Sequence, residues 1–300
     1  MSGPVVVTGA TGNVGTPLVH RLHEAGVPVR AALRPGAGTA PAVALPAAAF
    51  PAAVHRVPFD WQDPATWEAT FRGARAVFVV RPPHLSRPTR QMLPALRAAR
   101  ALGVAHMVLL SLQGAERNRL VPHAALESWL RESGVGWTFV RPSFFMQNLT
   151  GTHRAEIRDT DEIVVPAGRG ATAFVDTHDV AAVAATALLA PGTHEGRAWT
   201  PTGPASLTYE QVAAALAREL DRDVRYRAPG LPRYVRHARS GGMPWPMVAV
   251  TSAIYSVARA GRAAALTDDV RRVTGRLPTP LAEFVHRERR AWLRPPAPDT

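Results

Sequence analysis

The sequence predicts an α/β protein with a doubly wound parallel sheet and a smaller, α-rich C-terminal lobe. A chain of 300 residues with 46% hydrophobic content is long enough to bury a large core. Short apolar runs alternate with segments of helical periodicity through the first half, and glycines follow the helical segments. Because such alternation builds βαβ units, we expect parallel strands covered by helices on both faces.

The first half of the chain supplies the strands of this sheet, each a short β-branched or apolar run. The predicted strands are 5–8, 27–33, 54–58, 76–80, 106–110 and 137–140. Segments with apolar residues at helical spacing lie between most of them. The predicted helices are 16–25, 64–72, 89–102 and 122–133. Residues 34–53, rich in Pro, Ala and Gly, are predicted to be irregular or to form one weak helix.

The pattern changes after residue 142. Residues 174–188 predict a strand end and a helix with Asp176 or Thr177 as the N-cap, and 207–220 predict an amphipathic helix capped by Thr208. The Gly-, Pro- and aromatic-rich segment 229–246 predicts a loop over a pocket.

Further helices around 246–260 and 281–292 complete the predicted lobe. We therefore expect a nucleotide-binding domain over 1–150, with returning segments at 172–202, and a mainly substrate-binding lobe over 151–300.

The composition excludes several kinds of site. The chain has no cysteine, so disulfides and thiolate chemistry are absent, and none of its 11 histidines lies in an H-x-x-x-H or H-E-x-x-H pair, so no metal site is predicted. No G-x-S-x-G sequence supports a hydrolase. The chain shows neither a signal peptide nor a membrane-spanning apolar run, so we expect a cytoplasmic protein without a membrane partner.

The net charge of +12 comes from arginine alone, because all 35 basic residues are arginine. The arginines are scattered, which favours a coding bias over a nucleic-acid site. The cluster at 271–276 has no aromatic residue and the one at 233–239 has only Tyr234, too few for base stacking, so a nucleic-acid partner is not expected.

The stretch "VVVTGATGNVG" carries the first functional motif. Gly9, Gly12 and Gly15 follow a buried strand and open a helix. In such a loop the first glycine permits a tight turn, the second lets backbone N–H groups approach a pyrophosphate, and the third lets the helix pack closely on the sheet. The position between strand and helix predicts a dinucleotide site.

The end of the second strand predicts which dinucleotide binds. An NAD site offers a carboxylate there to the ribose 2′-hydroxyl, whereas an NADP site offers arginine to the 2′-phosphate. No Asp or Glu occurs from Gly26 to Phe59, and Arg34 follows the strand directly, with Arg30 earlier in it. We therefore expect NADP(H) in preference to NAD(H), with Asp60 facing the adenine.

Several separated motifs resemble a known family. "TGATGNVG", "FDWQDP", "HAALE", "GWTFVRPSFFMQN", "FVDTHDVAAVAA" and "TGPASLTYEQVAAAL" together resemble the NmrA-like, NAD(P)H-binding branch of the atypical short-chain dehydrogenase/reductase superfamily, which includes quinone oxidoreductases. The resemblance implies a Rossmann-type fold with a dinucleotide in the glycine loop. It implies these roles: pyrophosphate binding by Gly9, Thr11, Gly12, Asn13, Val14 and Gly15; 2′-phosphate binding by Arg34; contact with adenine by Asp60 and Trp61; the floor of the site at Val80 and Ser111; and positions near the nicotinamide for Phe145, Met146 and Asn148.

The catalytic pair typical of the superfamily is missing. Its reductases use Tyr-x-x-x-Lys, but this chain has no lysine, and its four tyrosines lie in the C-terminal part. Counting back from Glu127 places His123 in the lysine position and Arg119 in the tyrosine position. His123 is the candidate general acid near neutral pH, with Glu127 on the same helix face either to orient it or simply to pair with it. The alternative is a capping or solvated histidine.

These observations predict an NADPH-dependent reductase of a conjugated small molecule such as a quinone. A conjugated acceptor delocalises the charge that arrives with hydride, so it needs no tyrosine, and the cofactor carries the hard chemistry. "PSFFMQN" and residues 241–247, including Trp245, predict a flat apolar pocket for it. Two alternatives stay open: a non-catalytic NADP(H)-sensing regulator that binds a protein partner, and a biosynthetic dehydrogenase or isomerase that uses His123. A homodimer also stays open.

Overall fold

The chain forms two units, each with its own core. The computed structural model describes residues 3–35 and 50–294, so most of the segment predicted as irregular lies outside the described residues. Unit 1 comprises the described residues of Met1–Pro142, Thr177–Pro201 and Asp269–Arg276. Unit 2 comprises those of Ser143–Asp176, Thr202–Asp268 and Leu277–Thr300. The predicted boundary at residue 150 falls inside unit 2.

The described residues form twelve strands and thirteen α-helices. The strands are β1 (Val5–Val7), β2 (Val29–Leu33), β3 (His55–Pro58), β4 (Ala76–Val80), β5 (His106–Leu110), β6 (Gly136–Val140), β7 (Phe144–Phe145), β8 (Glu162–Val164), β9 (Ala171–Val175), β10 (Arg197–Trp199), β11 (Ser206–Thr208) and β12 (Arg225–Arg227). The helices are α1 (Gly15–Glu24), α2 (Trp67–Phe71), α3 (Pro88–Gln91), α4 (Leu93–Ala101), α5 (Pro122–Glu132), α6 (Arg154–Thr160), α7 (Thr177–Leu189), α8 (Pro191–His194), α9 (Tyr209–Leu220), α10 (Leu231–Ser240), α11 (Trp245–Arg259), α12 (Asp269–Thr274) and α13 (Leu281–Glu288).

Unit 1 contains a seven-stranded sheet in the order β10-β6-β5-β4-β1-β2-β3, and every neighbouring pair is parallel. Val5 in β1 pairs with Val29 in β2 on one side and with Ala76 in β4 on the other. All three residues of β1 and most of β4 and β5 are buried, as expected for strands covered on both faces. The predicted doubly wound α/β fold is therefore confirmed.

Helices α8 and α12 of unit 1 are not predicted from the sequence. Of the helices predicted in the first half of the chain, 16–25 and 122–133 match α1 and α5, whereas the one predicted over 64–72 is a 3-10 turn at Pro64–Thr66 followed by α2. The glycines predicted to end four of them, Gly26, Gly73, Gly103 and Gly134, all adopt positive φ. The segment predicted as one helix over 89–102 is instead two helices, α3 and α4, separated at Met92. Pro94 lies in the first turn of α4, and proline lacks the N–H that would join that turn to a preceding one.

Unit 2 is smaller and mixed. Its strands form a three-stranded sheet, β11-β9-β7, and a two-stranded sheet, β12-β8. All four tyrosines of the chain pack in its core: the ring of Tyr209 lies 5.7 Å from that of Tyr226 and 6.0 Å from that of Tyr255, which lies 5.6 Å from Tyr234. Thr208 caps α9 in a reciprocal capping box with Gln211, as the sequence predicts.

The prediction of a loop over 229–246 is wrong. Residues 231–240 form helix α10, which buries Tyr234 and Ala238. Pro232 lies in the first turn of this helix, where its missing N–H has no partner to lose. Only the short turn at 241–244 separates α10 from α11, so the density of Gly and Pro marks helix ends here.

Candidate functional site

The candidate site of unit 1 lies at the carboxyl ends of its parallel strands. The chain runs outward from β1 to β2 and β3, then returns to β4 on the other side of β1. Ligands of open α/β sheets bind at the crevice where the strand order reverses in this way. Gly9, Arg34, Asp60, Val80 and Ser111 lie at or just beyond the ends of β1 to β5. The fold thus places five of the predicted site residues along one edge of the sheet.

The glycine loop has no room for a side chain at Gly9 or Gly15. Gly9 adopts a φ of +62°, and a Cβ at this position would lie 3.1 Å from the Cβ of Val80. A Cβ at Gly15 would lie 2.1 Å from the carbonyl oxygen of Gly9, closer than any real contact. The N–H of Gly12 donates to the Gly9 carbonyl at 3.0 Å and closes the turn. The backbone of the loop is therefore held tightly against the start of α1.

The N-terminus of α1 presents a favourable site for an anion. Val14 precedes the helix without a side-chain cap, and no acidic residue lies in the first turn. Thr11, Gly12 and Asn13 are exposed, whereas Val14 is buried and can offer only its backbone. Backbone N–H groups and the positive end of the helix dipole favour phosphate in this geometry. The loop therefore fits the pyrophosphate of a dinucleotide.

The two arginines of β2 differ in their contacts. Arg30 donates from Nη1 to the carbonyl oxygens of Thr70 and Arg72, at 3.0 and 2.7 Å, so it holds the backbone at the end of α2. Arg34, beyond the end of the strand, is exposed, and its Nη2 lies 3.2 Å from Nε2 of His84. Arg34 is thus the arginine of this strand that is accessible to an anionic ligand.

The turn after β3 holds Asp60 by local contacts. Its Oδ1 accepts from the N–H of Gln62 at 2.8 Å, and its carbonyl oxygen accepts from Nε1 of Trp67 at 2.9 Å. The indole of Trp61 is buried in the core, where its ring lies edge-on to Phe59 at 4.8 Å. The predicted contact of the Trp61 ring with adenine therefore does not fit the structure, because core packing occupies that ring.

At the floor of the crevice, side-chain hydrogen bonds of Thr8 connect β1 to β4. Thr8 donates from Oγ1 to the carbonyl oxygen of Phe78 at 2.8 Å and accepts from the N–H of Val80 at 2.9 Å. Val80 then lies directly beneath Gly9. Its predicted position at the floor of the glycine loop agrees with these contacts.

A buried ion pair joins the ends of β5 and β6 to α5. Glu127 is 1% exposed and accepts from Nε and Nη2 of Arg141 at 2.9 and 2.6 Å. It also accepts from Oγ of Ser111 at 2.7 Å and from Nη2 of Arg131 at 2.9 Å. Glu127 therefore orients Ser111 and Arg141, and the prediction that it orients His123 is wrong.

His123 lies beside Arg81, the residue that follows β4. Nε of Arg81 lies 3.5 Å from Nε2 of His123 and donates towards it, and Nδ1 of His123 is buried without a hydrogen-bond partner among the described residues. Burial and the charge of Arg81 lower the pKa of His123 to about 4. The ring is neutral at neutral pH, so the predicted imidazolium acid is not present there. Arg119, assigned to the tyrosine position, lies exposed in the loop after β5.

Comparisons with known proteins agree with this geometry. The model of the NmrA-like family matches residues 1–260. The chain belongs to the NmrA-like family. An NAD(P)H azoreductase of Xenophilus azovorans is 36% identical over 288 residues, which cover 93% of this chain and 96% of that protein. A (4-alkanoyl-5-oxo-2,5-dihydrofuran-3-yl)methyl phosphate reductase of Streptomyces griseus is 34% identical, with 93% and 96% covered.

A solved structure shows the same fold. The triphenylmethane reductase of Citrobacter sp., complexed with NADP(H), superposes with a TM-score of 0.79 at 25% identity, and the match covers 95% of this chain and 99% of that one. This NmrA-like chain therefore has the Rossmann-type fold expected from its sequence.

The predicted substrate residues of this NmrA-like protein lie in unit 2. Met146 is 1% exposed and belongs to the core, whereas Trp245 is 62% exposed at the start of α11 with Arg239 over its ring; their roles in substrate binding stay predictions. Phe145 and Asn148 are half-buried, and their role near a nicotinamide stays a prediction. Phe144 packs edge-on against Phe174.

Sequence reasoning missed the polar cluster that fixes this segment. Asp176 is fully buried, and its carboxylate accepts from Nε2 of Gln147 and from Nη2 of Arg287, both at 2.7 Å. The sequence contains one indication of this cluster, Asp176, but the pattern predicts only an N-capping role for it. Its hydrogen bond to Gln147 holds the backbone between Phe145 and Asn148.

Proposed function

We propose that the protein is an NADPH-dependent reductase that transfers hydride to a conjugated small molecule, such as a quinone or an azo compound. The observation that carries the proposal is the glycine loop, in which a Cβ at Gly15 would overlap the Gly9 carbonyl at 2.1 Å. Such a loop keeps its backbone open to a pyrophosphate. The azoreductase and the furanone reductase support the reaction class, because both names describe reduction of conjugated molecules.

The chain's own residues bind and orient the cofactor in this proposal. NADPH, when bound, supplies the hydride. The exposed backbone of Thr11, Gly12 and Asn13 would hold the pyrophosphate at the N-terminus of α1. The Arg34 guanidinium, beside His84, would hold the 2′-phosphate, because planar N–H donors match phosphate oxygens. A carboxylate that would select the 2′-hydroxyl of NAD does not occur between Gly26 and Phe59.

The preference for conjugated acceptors follows from the lack of a proton donor among the predicted site residues of unit 1. The chain has no lysine, and none of its tyrosines lies in unit 1. The hydroxyl of Ser111 donates its hydrogen bond to Glu127, and His123 is neutral. A saturated ketone needs a proton as hydride arrives, whereas a quinone or azo acceptor spreads the charge and takes its proton from water. The neutral state of His123 also argues against an acid role in an isomerase.

The reaction is tested with purified protein and a panel of acceptors. We expect NADPH absorbance to fall on addition of a quinone or an azo dye, and to stay constant with a saturated ketone of similar size. Tight binding of NADPH without consumption on any acceptor would contradict the enzyme and favour a nucleotide sensor. Faster turnover of the saturated ketone than of the quinone would contradict the argument about the proton donor.

The role of Arg34 is tested by its selectivity. Arg34→Ala should raise the KM for NADPH by about 10- to 100-fold, since a hydrogen bond to a charged group contributes about 1.5–3 kcal/mol, and should leave the KM for NADH unchanged. Arg90→Ala, which removes an exposed arginine from α3, is the matched control and should change neither KM. Equal losses for both cofactors in Arg34→Ala would show that Arg34 does not contact the 2′-phosphate.

A further inference from the structure

Helix α11 exposes a stripe of large aliphatic side chains. Met247, Val250, Ile254 and Val257 are 40%, 53%, 40% and 47% exposed. Their spacing of three, four and three residues places them on one side of the helix. The helix meets the core of unit 2 through other residues, Val248, Tyr255 and Ala258. A contiguous exposed stripe of this kind is typical of an interaction surface.

The helical hairpin that carries this stripe, α10 and α11, has a one-sided charge. No Asp or Glu occurs from residue 231 to residue 259, the span of the hairpin, and this segment contains four arginines. Arg233 and Arg236 on α10 are exposed and form no ion pair within residues 3–35 and 50–294. The surface thus combines an aliphatic stripe with cations that no carboxylate of the hairpin neutralises.

The two helices pack as one body. Tyr234 on α10 donates from its hydroxyl to Oγ1 of Thr251 on α11 at 2.8 Å. At the turn, the guanidinium of Arg239 lies 4.9 Å above the ring of Trp245, which is 62% exposed. Helix α10, which carries Arg233 and Arg236, is therefore held beside the helix that carries the stripe. An exposed Trp under a cation is typical of the headgroup region of a bilayer.

The positive charge of the hairpin favours an anionic bilayer over a second copy of the chain as the partner of this surface. A second copy of the chain, packed face to face about a two-fold axis, would bring one cationic hairpin against another without a carboxylate on either. An anionic bilayer accepts aliphatic side chains at the level of its headgroups and attracts arginine at the same time. We propose that the α10–α11 hairpin is a docking surface for anionic lipid bilayers, on which α11 lies in the plane of the membrane.

The length of α11 fits a peripheral contact. No helix among the described residues is long and apolar enough to cross a bilayer. Helix α11 has 15 residues, below the ~20 required to span, and its other side is committed to the core of unit 2. The sequence-based expectation of no membrane partner rests on the lack of a signal peptide and of a spanning run, and the proposed surface departs from it.

The proposal is tested by co-sedimentation of the full chain with vesicles. We expect binding to phosphatidylcholine vesicles that contain about 30 mol% phosphatidylserine, and much weaker binding to pure phosphatidylcholine. Val250→Asp with Ile254→Asp should reduce binding more than about tenfold, because two aliphatic side chains no longer enter the headgroup region. Leu277→Asp is the control, since Leu277 is 77% exposed outside the hairpin, and it should bind like the parent protein.

The arginines are tested separately by charge removal. Arg233→Gln with Arg236→Gln should weaken binding at low salt by about fivefold for each arginine that lies near the lipid, and added salt should abolish the difference. Arg218→Gln, which removes an exposed arginine from α9, is the matched control and should have no effect. Unchanged thermal unfolding temperatures establish that the variants are folded.

Three results would overturn the proposal. The first is an absence of binding to anionic vesicles by the parent protein. The second is equal loss of binding in Leu277→Asp and in the stripe variant. The third is a dimer, measured by sedimentation equilibrium, that becomes a monomer in the variant Val250→Asp with Ile254→Asp, combined with an absence of vesicle binding. This result would assign the surface to a second copy of the chain.

Discussion

Glu127→Gln is expected to lower the free energy of unfolding by about 3 kcal/mol at neutral pH. The substitution keeps the size of the side chain but leaves the Arg141 guanidinium buried beside a neutral amide. Glu127 is 1% exposed and the Arg141 side chain 10%, and breaking such a buried pair from one side costs about 3–5 kcal/mol. Arg141 keeps Glu116 at 3.4 Å, which places the expected loss at the lower end of this range.

The pH dependence of this loss has a defined sign. Burial alone would raise the pKa of Glu127, but the hydrogen bonds from Arg141 and Ser111 and the charges of Arg141 and Arg131 hold it below its usual value of 4.5. A carboxyl whose pKa is lowered on folding stabilises the protein above the pKa of the unfolded chain, and this contribution disappears as pH falls through the folded pKa. The difference between the parent protein and Glu127→Gln should therefore shrink below about pH 4.5.

The assay is urea unfolding followed by tryptophan fluorescence, at neutral pH and in acid. Glu132→Gln, at an exposed position on the same helix, is the matched control and should change the free energy of unfolding by less than about 0.5 kcal/mol. The reasoning is refuted if Glu127→Gln behaves like this control at neutral pH. A loss that is the same at neutral and acid pH would also refute it, because it would come from packing and not from the charge.

Two further predictions concern the glycine loop and His123. Gly15→Ala should abolish NADPH binding, measured by fluorescence titration, because its Cβ would lie 2.1 Å from the Gly9 carbonyl oxygen, whereas Gly26→Ala, with open space around its Cβ, should cost stability and leave the cofactor Kd unchanged. His123→Gln should raise stability relative to the parent protein as pH falls from about 6.5 to about 4, because only the unfolded parent binds a proton on this histidine in that range. Turnover that falls with an apparent pKa near 6.5 in the parent and not in His123→Gln would show that this ring is charged in the active protein.

Much of the fold of unit 1 follows from local sequence. Strands such as β4 and β5 are continuous apolar runs, because both of their faces are covered, and their ends match the prediction. Strand β10, Arg197–Trp199, was not predicted, since it is short, lies at the edge of the sheet and is largely exposed. As an edge strand it pairs with only one neighbour, β6, and it lacks the continuous apolar run of the central strands. Unit 2 was harder to predict, because its short strands pair across long stretches of chain.

The site was predictable where spacing alone defines it. The glycines and Arg34 occupy fixed offsets from a strand, and the structure places them at the strand ends as expected; their binding roles stay predictions. The partners of Glu127 and His123 were not predictable, because they come from other strands: Arg141 follows β6, and Arg81 follows β4. In a chain whose 35 basic residues are all arginine, no single arginine stands out as the partner of a buried carboxylate.

In the proposed reaction, the charges at the strand ends explain why the proton comes from water and not from a side chain. A side chain that gives a proton to a developing alkoxide must carry one that it can release near neutral pH. Glu127 is ionised, because Arg141 and Ser111 lower its pKa, and His123 is neutral, because burial and Arg81 lower its pKa. Arg141 and Ser111 therefore stabilise the deprotonated form of Glu127, and Arg81 stabilises that of His123. The contacts that fix the geometry of the crevice thus leave neither side chain able to act as an acid near neutral pH. In the proposed function, a preference for conjugated acceptors would then follow from the electrostatics of unit 1.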